Sequence, residues 1–167
     1  MRIALIVLAL NALAAAAPPA VPAPADPYTP LTLYAGHWRL ATAGEAKTVD
    51  LVNHCARTGL YFACEQVVDG KPVALVVFLP TTRGDKGQSY RTQALDADGA
   101  AVHPWYDLII DGDDWIYAHK GEKDGKPLFQ RTLNHFTGAD HIAFTVQTSP
   151  DGALWTNVTS GQEERVR

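Results

Sequence analysis

Helical periodicity is nearly missing from this chain, and so are the patterns that announce most chemistries. No C-x-x-C, C-x-x-C-H, H-E-x-x-H or G-x-S-x-G occurs. Their absence removes thiol redox pairs, covalently attached haem, zinc peptidases and elbow-type serine hydrolases. Cysteine occurs only twice, and the histidines are scattered, so a structural zinc site with its usual four ligands is not expected. Lys and Arg number 14 against 18 Asp and Glu, and the basic residues form no stripe. Nucleic acid is therefore not an expected partner. The apolar stretch from Ile3 to Leu13 is too short to span a bilayer, which takes about 20 residues.

That short stretch has another meaning. Arg2, an apolar core and a run of small residues follow one another in "MRIALIVLALNALAAAAPPA", the order of a secretory signal peptide. Residues 1–16 are read as that signal, with the mature chain starting at Ala17. No cysteine follows the core to carry a lipid, so a periplasmic or extracellular protein without stable membrane insertion is expected. Residues 17–30 are dense in proline and alanine and read as an extended tether. Residues 31–167 show no composition break and are long enough for one core. A monomer is expected.

Within 31–167, short segments rich in Val, Ile, Tyr, Phe and Thr alternate with turn signals such as Asp-Gly and Thr-Gly. Strands are expected near 37–43, 48–58, 61–69, 72–80, 88–95, 102–110, 115–120, 127–136, 141–148 and 153–165. Even spacing and pairing of sequence neighbours give an all-β fold, an antiparallel up-and-down β-barrel of about 8–10 strands.

The cysteines fix one hairpin. Gly59-Leu60 fits a two-residue type II′ turn, which sets Thr58 opposite Tyr61 and Cys55 opposite Cys64. In an exported protein such a cross-strand pair is a disulfide. The same register puts Asn53, Cys55, Phe62, Cys64 and Gln66 on the more apolar face, which we point inward. Asn53 and Gln66 then either orient a ligand or hydrogen-bond each other or buried water. His54 and Glu65 oppose each other on the outer face. A carboxylate beside an imidazole inside a dry barrel would be a proton shuttle, whereas outside it is an idle ion pair.

A second hairpin turns at Asp111-Gly112-Asp113-Asp114, a carboxylate cluster lacking the spacing of a calcium loop. Across it Ile110 faces Trp115, Leu108 faces Tyr117 and Tyr106 faces His119. Tyr106, Trp115, Tyr117 and His119 are candidates for a cavity wall, or for dry core.

The two ends of the barrel segment carry a resemblance. Gly36-His37-Trp38 opens the first strand, and Arg165 lies near the end of the last. This resembles the lipocalin (calycin) pattern, in which an arginine from the final strand covers a tryptophan at the barrel base. The layout also resembles exported bacterial lipocalin-like proteins of unassigned function. The resemblance implies that Trp38 and Arg165 plug the barrel; the plainer alternative is an ordinary core tryptophan. It further implies binding of a small apolar or amphipathic ligand rather than catalysis. No cofactor is expected, although some lipocalin-like barrels hold haem through one histidine, for which His135 and His119 are the first candidates. An isomerase or cyclase with an acid/base pair, and an envelope protein-interaction module with a filled core, are the alternatives.

Overall fold

A computed structural model of the chain describes residues 26–81 and 88–167. Among them a short 3-10 helix, Pro30–Tyr34, precedes ten strands. These are β1 (Gly36–Thr42), β2 (Val49–Thr58), β3 (Tyr61–Val68), β4 (Lys71–Thr81) and β5 (Gln88–Asp96). They continue as β6 (Tyr106–Asp111), β7 (Asp114–Lys123), β8 (Lys126–Thr137), β9 (His141–Ser149) and β10 (Thr156–Arg165). Each strand pairs antiparallel with its sequence neighbours, and β1 pairs with β10, so the sheet closes into an up-and-down barrel. Closure leaves no unpaired edge.

All ten expected strands are present, with two shortened. The segment read as 102–110 begins as a strand only at Tyr106; before it, Val102 makes a lone bridge to Leu95 and Pro104 interrupts. The last strand starts at Thr156 and not near 153, because Asp151 caps the loop instead. Its carboxylate accepts from the backbone N–H groups of Ala153 and Leu154. The β6–β7 turn is also tighter than four residues, since Asp111 pairs with Asp114 across Gly112-Asp113.

The β2–β3 register is the one the turn dictates. Gly59 takes φ 60°, where only glycine is free of strain, and Thr58 pairs with Tyr61. Cys55 pairs with Cys64 and is bonded to it, the Cα atoms 4.0 Å apart. Reduction is expected to lower stability by somewhat under ~3 kcal/mol, given the short loop closed. Denaturant melts with an unchanged far-ultraviolet spectrum check this; loss of the barrel signal on reduction would contradict it.

One barrel end is sealed by the segment entering it. Residues 1–25, which hold the expected signal peptide and most of the tether, lie outside the described residues. The tether's last part is not loose, however. Tyr28 is buried, stacks on Phe62 and Tyr90, and donates its hydroxyl to the Leu60 carbonyl. Asp26 pairs with Arg57 at 2.8 Å. Tyr28 and Leu31 are both buried, so the chain packed on the barrel reaches back before residue 31.

The base is finished by Trp38 and Arg165, which pair across β1 and β10. The Arg165 guanidinium carbon sits 4.1 Å from the centroid of the fully buried Trp38 ring. Its nitrogens donate to the carbonyls of Leu33, Ala35 and Ala139, tying the incoming segment to the last strand. Gly36 makes room for this: a Cβ there would lie 2.4 Å from Arg165 Nη1, and its φ is 122°. The ring therefore has its cation, and the cation has its carbonyls.

Candidate functional site

Strand alternation aims one set of side chains into the barrel. Below, toward the sealed base, these pack as core: Trp38, Phe62, Tyr90, Leu108 and Trp115 are buried, and Phe78 borders both core and cavity. Above this layer lies a cavity of about 540 Å³ that reaches the β5–β6 loop at His103 and Pro104. Its walls are largely apolar, from Leu40, Ala74, Val76, Ala94 and Phe144, with the rings of Tyr34, Tyr106 and Tyr117. Thr92, Thr132, Gln66 and Asn134 add isolated polar atoms. One acid lines it: Glu163 of β10.

Glu163 is buried between Leu40 of β1 and Ile142 of β9, its neighbours in register. Among the described residues, its Oε2 has no hydrogen-bond partner, and neither has the Tyr117 hydroxyl. Burial pushes the Glu163 carboxyl up to about 7, because a charge there would give up its hydration without compensation. Burial likewise raises the phenols of Tyr34 and Tyr117, and Glu163 adds to both shifts. The three groups thus share one low-dielectric pocket. An unpaired buried acid is expensive, which makes Glu163 a candidate for binding or proton transfer.

The residues singled out in the sequence divide into two layers and an exterior. Gln66, Tyr106 and Tyr117 line the cavity. Asn53, Phe62 and Trp115 point inward but belong to the core beneath it. Of the two readings of the amides, mutual bonding is the one found: Gln66 Nε2 donates to Asn53 Oδ1 at 3.2 Å. Asn53 Nδ2 in turn donates to the Tyr34 carbonyl, which also accepts from the Trp38 indole. Asn53 is therefore a clasp for the 3-10 helix, whose last residue, Tyr34, forms the cavity floor. Trp115 stacks on Tyr34 from below.

His119 stands at the rim, its ring 5.0 Å from Tyr106 and its Nδ1 donating to the Trp105 carbonyl at 2.9 Å. His135 is on the outside, its Nδ1 2.7 Å from an Asp114 carboxylate oxygen. Neither histidine lines the cavity. Among the described residues no cluster of three or more His, Cys, Asp or Glu could hold a metal ion. His54 and Glu65 pair across β2 and β3 and are both exposed.

Glu163 and Tyr34 are what the sequence reading missed. Tyr34 falls outside the expected strands. Glu163 lies in "SGQEERVR", where polar residues occupy both faces and hide the alternation. A signal was nonetheless available: with Arg165 turned over Trp38, the period of two turns Glu163 and Gly161 inward as well.

Set against models of known protein families and against curated proteins, the chain matches none. The barrel and its cavity are therefore read on their own geometry.

Proposed function

We propose that this protein is an exported, lipocalin-like (calycin) barrel that binds a small apolar or amphipathic molecule in its interior. The observation carrying this reading is the cavity itself. Its volume of about 540 Å³ lies within the range of small-molecule sites, about 300–1,000 Å³. Mostly apolar walls with a few placed polar groups suit a ligand that is greasy at one end and polar at the other. The plug of Trp38 and Arg165 supports the calycin resemblance, and the disulfide suits an oxidising compartment. Charged residues facing outward, among them Arg39, Asp50, Glu65 and Asp107, suit a barrel in water and not one in lipid.

A second reading has one observation in its favour. Glu163, with a carboxyl near neutrality beside Tyr117, is chemically suited to proton transfer in an isomerase or cyclase. Turnover of a ligand, as opposed to its retention, separates the two. The filled-core interaction module is opposed by the cavity.

Ala94 lines the cavity wall, and Ala94→Trp would fill much of the space. A neutral fluorophore such as N-phenyl-1-naphthylamine is expected to brighten saturably with the native protein at one molecule per chain. The filled variant is expected to bind it at least tenfold more weakly while melting as a folded protein. No saturable brightening with the native protein would refute the reading.

A further inference from the structure

We propose that the ligand carries a single cationic amine head, held against Glu163 with its apolar body along the barrel wall. This inference rests on the binding-cavity reading above and gives it a chemical class.

Among the described residues Glu163 is the lone acid on the cavity wall, and no Lys or Arg lines the cavity. Its Oε2 and the Tyr117 hydroxyl lack hydrogen-bond partners among the described residues. An ammonium group supplies what both lack: N–H donors for the two oxygens and a positive charge for the carboxylate. The rings of Tyr34, Tyr117 and Phe144 also line the cavity, and their faces favour a cation. An anionic head finds no countercharge there and meets Glu163 as a like charge. A neutral hydroxyl satisfies the hydrogen bonds but leaves the carboxyl unpaired.

The groups around Glu163 bear this out from each packed element. From β1 and β9 it meets Leu40 and Ile142, neither of which titrates. From the 3-10 helix and β7 it meets the phenols of Tyr34 and Tyr117. Asn134 and Thr132 of β8 and Gln66 of β3 line the same space without charge. On its own strand the nearest cation is Arg165, which is turned away onto Trp38 and three backbone carbonyls. Arg165 also contacts Asp140, at 3.3 Å. His103 stands at the mouth, its Nε2 2.7 Å from an Asp96 carboxylate oxygen.

Proton linkage gives the proposal a signature. An ammonium binds the ionised carboxyl, so with a free-site value of about 7 its affinity rises with pH and levels off above neutrality. Octylamine, octanol and octanoate share one chain and differ only in head, which makes them suitable probes. Calorimetric titration of the full chain with each, between about pH 5 and pH 8, tests the assignment. At pH 8 octylamine is expected to bind at least tenfold tighter than octanol. Its affinity should fall about tenfold from pH 8 to pH 6 and about a hundredfold by pH 5, while octanol stays flat.

In Glu163→Gln the octylamine advantage and its pH dependence are both expected to vanish, with octanol binding retained. The native pH profile stands as a test even if that variant does not fold. Octanol binding with octylamine no tighter, or octanoate binding tightest, would overturn the cationic assignment and leave the cavity reading standing. Failure of all three probes to bind would overturn the cavity reading, and the assignment with it.

Discussion

Truncating Trp38 to alanine is expected to destabilise the protein by about 3–5 kcal/mol, the range for removing a large buried aromatic. The ring is fully buried, so its loss leaves a void at the barrel base. Two further losses follow from its position. The Arg165 guanidinium, 4.1 Å above the ring, loses the aromatic face it covers. The Tyr34 carbonyl loses its indole donor, at 3.1 Å, and is left with the Asn53 amide. Trp105 is the control, since it is 40% exposed and makes no comparable closure. Trp105→Ala is expected to cost about 1 kcal/mol or less. Urea melts of the two variants check the pair; equal losses would show that the base is not where the barrel is held.

The second large effect depends on pH. Glu163→Gln is expected to leave stability nearly unchanged near pH 4 and to raise it by about 3 kcal/mol at pH 8. In the unfolded chain the carboxyl ionises near its ordinary value of 4.5, whereas burial in the barrel raises it to about 7. The fold therefore favours the neutral acid. That preference is fully present below about 4.5 and is lost as pH rises through about 7, because the unfolded chain gives up its proton first. Each unit of separation corresponds to about 1.4 kcal/mol, which sets the size of the effect. Glutamine imitates the neutral acid at every pH and so escapes the loss. Denaturant melts of both proteins at the two pH values check this. A constant difference between them would mean that Glu163 is not buried as described.

The two predictions concern residues of very different legibility. Trp38 was readable because Gly36, Trp38 and Arg165 resemble the lipocalin pattern, which implies a ring covered by an arginine of the last strand. The β2–β3 register was readable because glycine at the first central position of a two-residue turn leaves little choice of pairing, whereas Ile110–Trp115 and Leu108–Tyr117 pair as expected across a β6–β7 turn shorter than the four residues expected. With Cys55 opposite Cys64, every other pair in the β2–β3 hairpin followed, down to Gln66 on Asn53.

Other features escaped for physical reasons. Proline-rich sequence before residue 31 reads as tether whether or not it docks, and docking was decided by Tyr28 finding Phe62 and Tyr90 across the chain. Inward-facing residues were identified without their height along the barrel axis, so core and cavity wall were merged. Phe62 and Trp115 face inward as expected, but the base segment closes over them. Glu163 escaped because hydrophobic alternation finds apolar faces, and an acid inside a barrel is a departure from that rule. Arg165 was the clue to its direction.

The barrel is proposed to hold a small molecule above its sealed base. Native mass spectrometry of protein purified without detergent from its own host tests that claim most directly. The predicted spectrum shows the chain carrying one small amphipathic molecule, released as an intact ion on activation, and carrying one octylamine after exchange at pH 8. A spectrum of bare chain alone, unchanged by saturating octylamine or octanol, would contradict it.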